Sequence, residues 1–110
     1  MTTRPQRPEN HFVIVWEFYV SARKRRAFER VYGPHGDWVK LFRTADGYIR
    51  TELVRDLKSP NRFLTLDYWL SRREYETFRR KNRETYLAID RNCEALTRRE
   101  AEIGRFTTRP

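Results

Sequence analysis

The chain has 110 residues, 38% hydrophobic and 15% aromatic, with 24 Lys plus Arg against 15 Asp plus Glu for a formal charge of +9. That content of large apolar side chains supports one folded domain, excludes global disorder and leaves no room for a second core. A single cysteine, Cys93, excludes an internal disulfide and a cysteine-rich zinc site, and no apolar run approaches a membrane span or a signal core, so the chain reads as soluble and cytoplasmic.

Residues 1–10 hold two prolines, two arginines and no bulky apolar residue except Met1, which reads as a flexible arm. The domain is expected over residues 11–107, with a short tail at 108–110. It opens on HFVIVWEFYV, a strand from His11 to Val20 in which Phe12, Ile14, Trp16, Phe18 and Val20 share one face. Val13, Val15 and Tyr19 share the other, interrupted only by Glu17. Alternating strand residues point to opposite sides, so both faces of this strand must be covered.

Ala22 to Tyr32 carries Ala27, Phe28, Val31 and Tyr32 at helical spacing, and Gly33-Pro34 ends that helix. The basic run Arg23 to Arg26 within it reads as a solvated helix face, or as a polyanion site if other groups converge on it. Asp37 is placed to cap a second short helix bearing Trp38, Leu41 and Phe42. Tyr48 to Asp56 and Arg62 to Leu70 are two strands joined by Lys58-Ser59-Pro60-Asn61, an antiparallel hairpin.

Ser71 and Glu74 form a capping box ahead of a long helix whose inner face is Tyr75, Phe78, Asn82, Tyr86, Ile89 and Cys93. A continuous helix running to Leu96 would span roughly 40 Å, longer than a strand of ten residues at about 3.3 Å each, so a break is expected near Lys81 to Arg83. Ala101 to Thr107 closes the chain as a fourth strand, where Gly104 leaves room for a bulge or a close neighbour.

The order β-α-β-β-α-β predicts an α+β fold of ferredoxin-like type, a four-stranded antiparallel sheet with the first and third strands central. Helices cover one face. The other would expose Val13, Val15, Tyr19, Leu64, Leu66, Tyr68 and Leu70, more apolar surface than soluble monomers tolerate. A second copy packed sheet to sheet is therefore expected, a homodimer through the sheet face. Glu17 would lie in that interface, bonded to an arginine or a tyrosine hydroxyl.

The stretches FVIVWEFYV, AFERVYG, GPHGDWVKLFR, DGYIRTELVRD, RFLTLDYWLSRREYETFR and CEALT with a final IGRF, taken together, resemble the antibiotic biosynthesis monooxygenase family of the dimeric α+β barrel superfamily. The resemblance implies the same fold and dimer, with a pocket in each subunit between helices and sheet. Such proteins include cofactor-independent oxygenases that turn aromatic quinols or anthrones into quinones, as well as haem-degrading relatives and many of unassigned substrate. Fold likeness by itself fixes no reaction.

Haem degraders of this kind use a first-strand asparagine, a tryptophan ending the third strand and a histidine on the next helix. Trp69 matches the tryptophan, but Trp16 stands on the first strand and Arg79, Arg80 and Lys81 stand where the histidine belongs, leaving iron without an imidazole. The oxygenase branch implies no cofactor and a small aromatic substrate. On that reading Asp67 and Trp69 are the catalytic candidates, and Trp16, Tyr32, Trp38, Asn82 and Tyr86 the substrate-binding ones. Trp16, Trp38 and Tyr32 also suit ordinary core packing.

Asp67 lies mid-strand on the face of Phe63, Thr65 and Trp69, where a carboxylate is costly unless it is bonded. It is either paired with an arginine, or it lines the pocket with a raised pKa and serves as a general base toward a phenol. His11 and His35 have no second ligand at a metal-binding spacing, so no metal is expected; His35 reads as a surface-loop residue or an acid-base group at the pocket mouth. No phosphate loop or nucleophile elbow occurs. A non-catalytic ligand-binding or regulatory dimer is the alternative function. Neither membrane binding nor nucleic-acid binding through the arm and Arg23 to Arg26 is expected.

Overall fold

A computed structural model describes residues 10–110. The expected N-terminal arm therefore lies, apart from Asn10, outside the described residues. The strands are β1 (Phe12–Tyr19), β2 (Tyr48–Arg55), β3 (Arg62–Trp69) and β4 (Arg99–Thr107). They form one antiparallel sheet in the order β2-β3-β1-β4, so the two most apolar strands are central.

The β2–β3 hairpin is set by its turn. Asp56 Oδ1 accepts from the amides of Lys58 at 2.8 Å and Ser59 at 3.2 Å, an Asx-type turn that leaves Pro60 with no amide to satisfy. The resulting register puts Thr51 opposite Asp67. On the other edge β4 slips by one residue at Ile103, the bulge that Gly104 allows. The Phe106 ring lies against Gly104, where a Cβ would come within 2.6 Å of its Cζ, so this glycine serves both bulge and close neighbour.

The helices are α1 (Arg25–Tyr32), α2 (Asp37–Phe42), α3 (Arg72–Lys81) and α4 (Arg83–Cys93), with single 3-10 turns at Ala22–Lys24 and Glu94–Leu96. The break falls at Asn82, whose side-chain amide donates to the Phe78 carbonyl at 3.0 Å. Ser71 Oγ accepts from the Glu74 amide at 3.2 Å, giving half of the expected capping box. Instead of a reciprocal bond, the Glu74 stem packs on Gly47, which has no side chain to obstruct it. Asp37 corrects a second expectation: it is the first residue of α2 and Gly36 is the cap, with no side-chain bond, so Asp37 acts only through its charge in the first turn.

The basic run divides. Arg25 donates to Asn61 Oδ1 at 2.8 Å and Lys24 Nζ donates to the Ala95 carbonyl, while Arg23 and Arg26 are exposed. The two sheet faces differ in kind. Ile14, Phe18, Phe63 and Trp69 face the helices and form the core with Phe28, Phe42 and Phe78. On the far face Val13 and Val15 are already buried within the single chain, so that face is less bare than its composition suggests. Leu64, Leu66, Tyr68 and Leu70 remain half-buried, and Val54 and Phe106 are exposed. Glu17 there accepts from Arg62 Nε at 2.7 Å, and Arg62 also binds Asp56 at 3.0 Å, an arginine partner found within the same chain.

Candidate functional site

A cavity of about 270 Å³ opens between the helix-facing side of the sheet and the helices. Its floor is Trp16 and Phe18 of β1, Thr65 and Asp67 of β3, and Thr51 of β2. Its walls are Tyr32 of α1, Trp38 and Phe42 of α2, and Tyr86 and Leu87 of α4. Arg79, Asp90, Glu100 and Glu102 complete it. The hollow lies where Asn82 breaks the long helix and α4 continues against α2 and α3.

Asp67 is 7% exposed and is the buried carboxylate of the cavity floor. No arginine pairs with it among the described residues. Its Oδ1 accepts from Thr51 Oγ1 at 2.7 Å, and Thr51 Oγ1 in turn accepts from the Tyr48 hydroxyl at 2.9 Å. The hairpin register supplies this arrangement by placing Thr51 across from Asp67. Burial pushes the Asp67 carboxyl up to about 7, only partly offset by the Thr51 hydrogen bond. Such a group changes ionisation near neutrality, where a general acid or base is most useful.

Of the candidates read from the sequence, the structure brings Asp67, Trp16, Tyr32, Trp38 and Tyr86 to one cavity. Trp69 and Asn82 are held away from it. Trp69 is 0% exposed, with Phe42, Tyr48, Tyr75 and Phe78 rings at centroid distances of 5.0 to 5.5 Å. Its Nε1 finds no acceptor among the described residues. Asn82 is spent on the helix junction. His35 lies on the exposed loop after α1, beside Arg26 and Glu29 and outside the cavity.

The phenols of Tyr32 and Tyr86 are both pushed well up by burial, Tyr32 further by Cys93 and Tyr86 further by Tyr75. They remain neutral hydrogen-bonding groups at any physiological pH. Arg79 covers the outer side of the Tyr86 ring, 3.9 Å from its centroid, and donates to the Tyr75 hydroxyl at 2.9 Å. Trp38, 7% exposed, turns its buried Nε1 toward the Tyr32 hydroxyl and the Cys93 thiol without a hydrogen bond of full geometry among the described residues. Among the described residues no three His, Cys, Asp or Glu side chains gather as a metal-ligand set.

Thr51, Thr65, Asp90 and Glu100 are cavity residues that sequence reasoning missed. Two carried a usable signal: Asp90 lies four residues after Tyr86 on the same helical face, and Thr51 follows from counting back across the hairpin turn. Glu100 was hidden because β4 begins at Arg99, two residues before its expected start.

Fold and site together define a small ferredoxin-like α+β domain with an aromatic-lined cavity under its helices. The sequence model of the family described as antibiotic biosynthesis monooxygenase matches residues 11–89, and the chain belongs to that family. Among solved structures it is similar to SnoaB, a cofactor-independent oxygenase from Streptomyces nogalater, at 19% identity and a TM-score of 0.66, covering 92% of this chain and 95% of that one. PA3566 from Pseudomonas aeruginosa is similar at 17% identity and a TM-score of 0.62, covering 96% and 98%. A conserved protein from Methanosarcina mazei Go1 is similar at 14% identity and a TM-score of 0.64, covering 93% and 94%. At these identities the likeness is one of fold. No curated protein matches the chain. Among the described residues no helix is long and apolar enough to cross a membrane.

Proposed function

We propose that the protein is a cofactor-independent monooxygenase acting on a hydrophobic aromatic substrate of the quinol or anthrone type. The observation that carries this reading is Asp67, a buried carboxyl poised near pH 7 in the floor of an aromatic cavity. Family membership and the likeness to SnoaB support it. In the proposed reaction ionised Asp67 takes a proton from the substrate, and the electron-rich carbon of the resulting enolate bonds dioxygen. With an anthrone the peroxide is protonated and loses water, leaving a carbonyl where two C–H bonds stood; a naphthohydroquinone instead passes two electrons and two protons to dioxygen, giving the quinone and hydrogen peroxide. Dioxygen is the oxidant and the substrate the reductant, so the electrons balance without a further donor. Tyr32 and Tyr86 hold the ring and remain protonated throughout. Trp69 holds the sheet and helices together beside the cavity and has no chemical step in this scheme.

The reaction is tested by following oxygen uptake with a panel of anthrones and naphthohydroquinones, without added flavin or metal. Uptake above the uncatalysed rate is expected, with the corresponding quinone as product. A ligand-binding or regulatory protein of the same fold would bind members of the panel and consume no oxygen, which would overturn the enzymatic reading.

We also propose that two copies pair through the far sheet face, supported by the exposed Phe106 and Val54 and the half-buried Leu64, Leu66 and Tyr68. Light scattering at micromolar concentration should give twice the chain mass; a folded monomer would contradict it.

A further inference from the structure

We infer that the cavity takes an aromatic ligand carrying a hydroxyl or carbonyl oxygen at its buried end and a protonated amine at its open end. This rests on reading the cavity as the ligand site and narrows the class of ligand.

The two ends of the cavity differ in what they leave unsatisfied. At the buried end Asp67 has one oxygen on Thr51 and the other without a partner among the described residues. A buried polar atom without a partner is costly, and that oxygen can accept from a ligand hydroxyl or, when protonated, donate to a ligand carbonyl. At the open end stand Asp90 of α4 and Glu100 of the edge strand β4, neither with an ion pair among the described residues.

Charge sharpens the contrast. The chain as a whole is +9, yet four carboxylates and one guanidinium line the cavity. Glu102 is ion-paired with Arg105, at 3.1 and 3.2 Å, whereas the Arg79 guanidinium keeps its charge and is held on the Tyr75 hydroxyl and over the Tyr86 ring. What remains at the mouth is the pair Asp90 and Glu100, neither ion-paired among the described residues, against the single cation of Arg79. The Glu100 carboxyl is pushed up by desolvation and then by the charges of Asp90 and Glu94, a repulsion that a cation would relieve. These acids do not gather as a metal-ligand set. Instead, Glu100 lies in register beside Phe18, and Glu102 beside Trp16, so carboxylate and aromatic faces alternate. An organic ammonium on an aromatic body suits that surface, because the ring faces and carboxylates attract it together. A carboxylated aromatic meets repulsion at the same place.

The test is calorimetric titration under nitrogen with three naphthols that carry an aminomethyl group, a methyl group or a carboxylate at the same ring position. The amine should bind about tenfold tighter than the methyl compound, the size expected for exposed charge pairs acting with a cation–π contact, and the carboxylate should bind weakest. In the double variant Asp90→Asn/Glu100→Gln, both positions solvent-accessible, the ratio of amine to methyl affinity should fall from about tenfold to about one. Equal or reversed affinities in the native chain, a preference surviving the double variant, or no binding by any of the three would overturn the inference. Oxygen uptake measured separately distinguishes the failures. An amine preference without uptake removes the oxygenase reading alone, and uptake without an amine preference removes this inference alone.

Discussion

Two side chains two residues apart on β3, Trp69 and Asp67, point to the same side of the sheet and lie in opposite kinds of surroundings. Around Trp69 the first turns of α3, the end of α2 and Tyr48 close a solid aromatic cluster. Around Asp67 the helix layer has broken at Asn82, and the same sheet face looks into open volume. The strand is regular across both. What separates packing from a site is the cover, and the cover is set by where one helix ends.

That contrast is best broken by exchanging damage between the two positions. Asp67→Asn should lower oxygen uptake by roughly a hundredfold to ten-thousandfold, the range for loss of a general base, while leaving the fold intact. Trp69→Ala should do the reverse in kind, costing about 3–5 kcal/mol of stability by opening a cavity in the closed cluster. Urea unfolding of both variants, with uptake measured on the folded fraction, separates the effects. A Trp69→Phe variant that keeps its stability but loses uptake would show that the two regions share one chemical role.

A second effect concerns pH. The folded-state pKa of Asp67 stands near 7, above the ordinary 3.8, so the native state holds a proton that the unfolded chain has released across that window. Its contribution to stability is fully present below about pH 4 and is lost as pH rises through about 7, a change of at most a few kcal/mol. Asp67→Asn should remove this slope. Thermal midpoints of both proteins between pH 4 and 8 should therefore diverge, with the variant gaining relative to the native chain at the alkaline end. Trp69 variants should shift the midpoint by the same amount at every pH.

The smallest effect sharpens the Asp67 side alone. Thr51→Val removes the one hydrogen bond that holds the Asp67 pKa down, so the pH midpoint of uptake should move upward, with a stability loss of about 1 kcal/mol. A downward shift would mean that Thr51 stabilises the protonated carboxyl instead.

Most of the fold was legible because it rests on short-range rules. Strand alternation in FVIVWEFY, the Pro60 turn and the Ser71 cap each determine local geometry, and the length limit on the last helix located its break within the stretch where Asn82 stands. The site was legible only in part. Trp16, Tyr32, Trp38 and Tyr86 lie at spacings that equally suit a core, and nothing local distinguishes a ring facing a void from one facing another ring. Trp69 and Asp67 show the limit: with identical strand phase, they differ only through what covers them, α3 and α2 over Trp69 and the gap beyond the Asn82 break over Asp67. The fate of Asp67 also required a register. Thr51 becomes its partner through a hairpin count, whereas an excess of arginines in the composition suggested an ion pair that the described residues do not make.

The most direct test of Asp67 as the base is the pH–rate profile of oxygen uptake in the native chain and in Asp67→Asn, with the uncatalysed oxidation subtracted. The native rate should rise with pH to a plateau through a midpoint near 7, and the variant should be slow and lack that step. A variant that keeps the native rate and the native midpoint would contradict the role assigned to Asp67.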